Sequence, residues 1–597
     1  MALTILSSSW FSFHCRFRSL PPGPSSWLIL GNLPDLDILP YRSLARLADR
    51  YGPILTVWFG SKPAVVVSSP KLAEEVLKTK DKLCATRPLT RTVALLTNNG
   101  RFMATLPCDD DWRKQRRLAM LHLLSARNMK ANLGVRELEI RDMLDTIATD
   151  AAAATAAADL LKTGMNGGSS IEAAGLEVRR YLNLAALNNI LRLTVGKHFS
   201  YEAVRHTASA ATCSSTSTTT SSGGRALDAA MEIAWEGRIA AIRSEKRGNS
   251  GGASTAEGPS TSGLVEDEAE GEKVIAIIEE AFSVGGAFNI ADYIPGVRFL
   301  DPQRVYTRVQ RLAPQLHGFM RACIEERRQL ITRRKATGSG EKGAADDWVF
   351  MDALLEREGE GDDAVTAEEM MMLGIEIIMA GTATTSKTVE WALAELAQRP
   401  DMLARLQAEV DAARATSVSL KTQEQEVGSG NSDPTVSLPV QDMPYLQAVL
   451  KETFRHHPVG PFLVRQVTGG NVTLGGYTIP PGTMILINTW ALGHDPTVWI
   501  NPHEFNPSRF LDPAAPDLTG KSFSLLPFGS GRRGCAGMNL GLDLSARMLA
   551  GFVRQFDFEL PGDVRAAGGV DMGEEFGLAM SMAKPLRIVC RERKGVF

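Results

Sequence analysis

No two cysteines of this chain stand in a C-x-x-C pair, no stripe of Lys and Arg is interleaved with aromatics, and no long apolar run opens the sequence. Each absence removes a class of protein. The seven cysteines (15, 84, 108, 213, 323, 535 and 590) form no regular framework, which excludes a zinc ribbon or a disulfide scaffold and suits a reducing, cytosol-facing environment. Charge is nearly balanced, 65 basic against 68 acidic residues for a net −3, and the basic residues are scattered, so a nucleic-acid partner is not expected. Aromatics are 7% of the chain. A membrane-spanning helix needs roughly 20 apolar residues. Met1 to Phe13 is shorter, carries Ser7, Ser8, Ser9 and Ser12, and stops at His14. It suits a shortened anchor or an interfacial segment, and its serines and lack of acids make a transit peptide the second reading.

What is present is a concentrated signal near the C-terminus. Phe528-Gly529-Ser530-Gly531-Arg532-Arg533-Gly534-Cys535-Ala536-Gly537 places one cysteine in a glycine-rich loop before a helical pattern. Glycines permit backbone turns closed to other residues, and N–H groups at a helix N-terminus favour a thiolate. A sulfur held in that way suits a metal, in particular the axial position of a haem iron. Gly529 to Gly534 also fits G-x-G-x-x-G, with an apolar run at Phe523 to Phe528 and a second candidate strand at Phe556 to Glu559. Pro527 in the first strand, two arginines facing the pyrophosphate position and the short remaining chain weigh against a dinucleotide site.

The loop resembles the signature of the cytochrome P-450 haem-thiolate monooxygenases, and other segments carry the likeness independently. Lys451-Glu452-Thr453-Phe454-Arg455 resembles the E-x-x-R helix, and Phe505 to Phe510 the P-x-R-F segment whose arginine completes a carboxylate–guanidinium network. Ala380-Gly381-Thr382-Ala383-Thr384-Thr385 resembles the oxygen-activating A-G-x-[DE]-T-[TS], inside a helix expected over Glu368 to Arg399. The resemblance implies that Cys535 ligates the iron of haem b, that Ala380 and Gly381 leave room for dioxygen, and that Thr384 supplies a catalytic hydroxyl. By the same likeness Trp112, Arg116, Arg465, Phe528, Arg533 and Gly537 would hold the haem. Arg113, Lys114 and Arg117 would face an electron donor. Ala383 stands where most relatives carry an acid, which leaves proton delivery unassigned. Helical spacing places Glu376 on one stripe with Ala380 and Thr384, so it is expected to contact substrate or, preferably, to pair with a cation.

The fold implied is mostly α (α+β), one large helical domain with small β-sheets over residues 21–597, preceded by a targeting or membrane segment at 1–20 with a basic hinge at Arg16 and Arg18. Ile54 to Phe59 and Ala64 to Ser68 read as a hairpin. Asp109 is expected to cap the helix of Trp112. Polar stretches at 207–224, 248–271 and 416–434 read as disordered surface inserts. Three segments (285–293, 388–396 and 525–528) are similar to plant microsomal members that hydroxylate phenylpropanoid esters or flavonoids. The function expected is therefore insertion of one oxygen atom into an apolar or aromatic small molecule, with electrons from NADPH through a flavoprotein reductase, at the cytosolic face of the endoplasmic reticulum membrane. A plastid location ranks second. A hydroperoxide-rearranging haem-thiolate enzyme and a haem sensor are the alternatives.

Overall fold

The structure is a computed structural model that describes residues 19–164, 175–201, 268–297, 299–336, 348–359, 361, 364–424 and 438–593. Helices dominate. In chain order the ones that frame the interior are α1 (Pro40–Tyr51), α2 (Arg91–Leu96), α3 (Asp110–His122), α4 (Leu133–Gly164), α5 (Val178–Thr194), α6 (Glu268–Gly286), α7 (Ile290–Tyr293), α8 (Val305–Ala336), α9 (Phe350–Leu355), α10 (Ala367–Ala397), α11 (Pro400–Glu424), α12 (Pro444–His456) and α13 (Met538–Gln555). The largest apolar core is built from α4, α5, α8, α10, α12 and α13, with Trp391, Leu393 and Phe552 fully buried in it. The N-terminal hinge and the insert at 207–224 lie outside the described residues. Helices reach into the margins of the two other inserts: Glu268 already begins α6, and α11 runs through 416 to Glu424.

Local chemistry explains where the central helix starts. Thr366 accepts from the Glu369 N–H while the Glu369 carboxylate accepts from the Thr366 N–H, a reciprocal cap that satisfies two otherwise orphaned donors. Asp109 caps α3 as expected, accepting from Trp112 N at 3.1 Å. Among the described residues no helix is long and apolar enough to cross a membrane.

The main sheet combines the expected hairpin, β1 (Ile54–Phe59) and β2 (Lys62–Val67), with β3 (Phe462–Gln466) and β4 (Met484–Asn488). Its order is β1-β2-β4-β3, parallel only between β2 and β4. The proline-rich segment lies along β1: Thr56 N donates to Pro22 O at 2.9 Å, and a Cβ on Gly23 would stand 1.9 Å from Thr56 O. Only glycine fits there. Near the C-terminus, β5 (Phe556–Glu559) pairs antiparallel with β6 (Arg587–Glu592). Residues 523–528 form no strand, so the dinucleotide alternative loses its strand–turn–helix unit.

Candidate functional site

Cys535 is held by a loop that only its glycines permit. Gly529 and Gly531 adopt φ of 66° and 71°, and a Cβ on Gly531 would lie 2.4 Å from Leu77 O. Cys535 N donates to Phe528 O at 2.9 Å, closing the turn just before α13. Burial pushes the Cys535 thiol above its ordinary value, against the opposing pull of the Gly537 N–H, Arg116 and Arg87. Coordination to a metal deprotonates a thiol outright.

Below this loop a polar network fixes three segments together. Arg455 Nε and Nη2 donate to the two oxygens of Glu452 at 2.7 and 2.8 Å. Its Nη1 donates to the carbonyls of Gly493 and Pro502, and Nη2 also to Glu504 O. Arg509 Nε and Asn506 N add donors to Glu452 Oε1 at 3.0 and 2.7 Å. Glu452 and Arg455 are completely buried and fully partnered, the condition under which a buried ion pair holds.

Above the loop lies a cavity of about 360 Å³. Cys535, Phe528 and Gly537 line one side, Ala380, Gly381 and Thr384 the other, and Trp112, Arg116 and Arg533 a third. The structure thus gathers nine of the ten site residues expected from sequence. Trp112 sits between two guanidinia, with Arg533 5.0 Å and Arg116 5.7 Å from the ring centroid. The tenth, Arg465, is off this lining but close enough to Arg87 and Arg533 to feel both charges. Burial and those neighbours bring its value down to about 9. Its Nε and Nη2 are buried without partners.

Several expectations need correction. Glu376 lines the cavity and accepts from Met103 N at 2.5 Å and Ala104 N at 2.8 Å, so backbone donors hold its carboxylate directly while the cations Arg87 and Arg533 act on it through their charge. Burial outweighs these bonds and raises it to about 7. Lys114 pairs with Glu369 at 2.7 Å and donates to Ala364 O. Arg533 is already engaged with the carbonyls of Ala85, Met103 and Leu106, leaving its further N–H groups to the cavity. Ala383 is 1% exposed in the apolar core and does not line the cavity, so an acid there would be buried rather than poised.

Arg87 was missed in the sequence. It reaches Ala104 O at 3.1 Å and lines both this cavity and a second one of about 310 Å³. The second cavity is walled by Phe102, Phe288, Tyr293, Phe462, Phe576 and Leu578, and among the described residues Arg87 is its only charged lining residue. Phe288 stacks on Phe576 at 5.8 Å. No local motif marks Arg87, because its neighbours come from a loop seventeen residues later.

A family model described as Cytochrome P450 matches residues 21–230 and 261–567. Among curated proteins the chain is 31% identical to cytochrome P450 98A2 of Glycine max, covering 98% of this chain and 94% of that one. It is 30% identical to flavonoid 3'-monooxygenase CYP75B3 of Oryza sativa subsp. japonica, covering 96% and 90%. A solved zebra fish cytochrome P450 with abiraterone shares the fold at a TM-score of 0.59 and 23% identity, covering 94% of this chain and all of that one.

Proposed function

The chain belongs to the cytochrome P450 family and is a monooxygenase of that type, and from that premise we propose that it inserts one oxygen atom into an apolar aromatic ring compound of the phenylpropanoid or flavonoid kind. Electrons come from NADPH through a flavoprotein reductase. The haem supplies the activation of dioxygen when bound.

The cavity residues fit that group. A haem is dianionic through its propionates, and four buried or half-buried guanidinia, Arg87, Arg116, Arg465 and Arg533, converge here with Glu376 as the one carboxylate lining the cavity. The observation that carries the assignment is Arg465: a buried cation with two unpartnered nitrogens, its value pushed down by burial, Arg87 and Arg533 more than Asp81 holds it up, is costly without a further anion. Trp112 and Arg116 would hold the same group from α3, Phe528 and Gly537 would line its site, and Cys535 would ligate the metal. Ala380 and Gly381 keep the α10 wall low, and Thr384 presents a hydroxyl to the reacting space.

The phenylalanine-walled cavity then selects substrate. Its rings suit a flat aromatic body, and Arg87 as the lone charge suits a neutral or anionic compound over an amine. Relatives named as flavonoid 3'-monooxygenases support this class. An endoplasmic reticulum location is supported by a surface patch in which Trp27, Leu28, Ile29, Phe299 and Leu300 are all exposed. The two parts of the patch adjoin the β1–β2 turn, Gly31 bridging to Phe59 and Gly60 lying against Tyr293. A reduced carbon monoxide difference spectrum, followed by NADPH turnover on a panel of flavonoids and phenolic esters, tests the reading. A thiolate-type band with hydroxylated product is expected. A band with no NADPH-dependent product from any aromatic substrate would overturn the substrate class.

A further inference from the structure

Two tyrosines beside Asp292 have opposite fates. Tyr306 is used by the fold: its hydroxyl donates to Asp292 Oδ1 at 3.2 Å, and the same carboxylate accepts from Thr92 N and Oγ1 at 3.0 and 2.6 Å. Tyr293, at the end of α7, is 6% exposed, and its hydroxyl has no protein partner. Its ring packs with Phe59 and Phe288, centroids 5.3 and 6.5 Å away, and Lys62 Nζ stands 5.7 Å from the ring centre. The hydroxyl is not sealed in the core, as the unpartnered indole N–H groups of Trp391 and Trp490 are: Tyr293 lines the phenylalanine-walled cavity. The threonines of that wall are engaged with backbone. Thr97 Oγ1 donates to Val93 O at 2.7 Å and accepts from Gly100 N at 3.0 Å, Thr105 Oγ1 donates to Phe102 O at 3.1 Å, and Thr90 Oγ1 accepts from Val93 N at 3.3 Å. Arg87 gives one nitrogen to Ala104 O and belongs to both cavities. Among the described residues, Tyr293 is thus the one polar side chain of this wall with no protein hydrogen bond. Burial, with the charge of Asp292 added, pushes its phenol above the ordinary value, so it stays protonated and has a proton to donate.

We propose that Tyr293 determines specificity within the aromatic class: its hydroxyl donates to a carbonyl oxygen of the substrate, so the enzyme prefers aryl ketones and aryl esters to aromatic compounds without a carbonyl. The inference rests on the aromatic-substrate reading of this cavity and deepens it. A substrate hydroxyl can also accept this bond, but it brings a proton of its own to place. A carbonyl oxygen accepts and brings none. The rings of Phe102, Phe288, Phe462 and Phe576 around the cavity carry no acceptor of their own, and a hydrogen bond made in such surroundings is stronger than in water. Arg87, Ala104 and Leu463 line both cavities, and on α10 Met379 of this one adjoins Ala380 of the other. A substrate seated against Tyr293 therefore borders the cavity that holds Cys535.

The test is a titration of the haem-loaded enzyme with flavanone, flavan-4-ol and flavan, three compounds that differ only in a carbonyl, a hydroxyl or a methylene at one carbon. The shift of the Soret band reads binding. The native enzyme should bind flavanone about tenfold more tightly than flavan, with flavan-4-ol between them. Tyr293→Phe keeps the ring and removes only the hydroxyl, so the gap between flavanone and flavan should close while the carbon monoxide band and the thermal midpoint stay. A gap that survives Tyr293→Phe, no gap in the native enzyme, or flavan-4-ol bound tightest would each overturn the proposal. So would a lowered midpoint in Tyr293→Phe, which would mark the hydroxyl as part of the fold. A native enzyme that binds none of the three overturns it too. Only if that enzyme oxidises no aromatic compound at all does the substrate-class reading fall as well, so the two failures are distinguishable.

Discussion

Arg455 and Arg465 are both buried arginines, 0% and 1% exposed. Arg455 gives every nitrogen to the Glu452 carboxylate or to the carbonyls of Gly493, Pro502 and Glu504. Arg465 gives one nitrogen to its own neighbour, Val464 O, and leaves two idle. Burial costs both cations their hydration, but only Arg455 recovers it inside the protein. The first arginine belongs to the fold and the second waits for an anion. Tyr306 and Tyr293 repeat the same contrast for neutral groups.

The comparison breaks most completely at the ligand. Cys535→Ser should abolish the thiolate carbon monoxide band and all turnover while the far-ultraviolet circular dichroism stays native, because sulfur donation alone is removed. Glu452→Ala comes next. It strands Arg455 and Arg509 around a lost carboxylate and should cost about 3–5 kcal/mol, read by urea unfolding.

Glu376 sharpens the comparison through pH. Its folded value of about 7 lies above the ordinary value of 4.5, so its favourable contribution is complete below about pH 4.5 and is lost as pH rises through 7. The loss amounts to about 3 kcal/mol. Glu376→Gln should therefore gain stability relative to the native enzyme between pH 5 and pH 8, and a difference that does not change with pH in urea titrations would refute this. The smallest effect on stability is expected from Arg465→Met. Removing an idle buried cation should leave the fold neutral or slightly more stable, yet weaken haem retention in a transfer assay to apomyoglobin.

Much of this was legible in the sequence where the chemistry is local. The cysteine loop announces itself through its glycines, the Glu452–Arg455 pair through i,i+3 spacing, and α10 through its small-residue step. Contacts made across the chain were not legible. Glu376 finds its donors at Met103 and Ala104, some 270 residues away, and no stripe on α10 could have named them. The use of Tyr293 was not legible because its significance is a missing partner, which only a packed structure reveals. The place of Ala383 could not be read from the motif either: one residue along a helix is about 100° of rotation, enough to carry 383 from the cavity to the core. The edges of the polar inserts misled in turn, since composition argued for loops where α6 and α11 extend into them.

Strand β3 draws a different boundary through the molecule. Phe462 and Val464 pack with Met484 and Leu486 on one face, while Leu463 packs with Ile485 and Ile487 on the other, the face that Arg465 shares. A one-residue insertion anywhere in this strand would exchange the faces, sending a guanidinium among the phenylalanines and an apolar side chain to the cations. The chain therefore has lengths it can vary and lengths it cannot. The five residues of β3 act as a vernier between two chambers. Redesign for a larger substrate would have to change the size of residues in β3 and never their number.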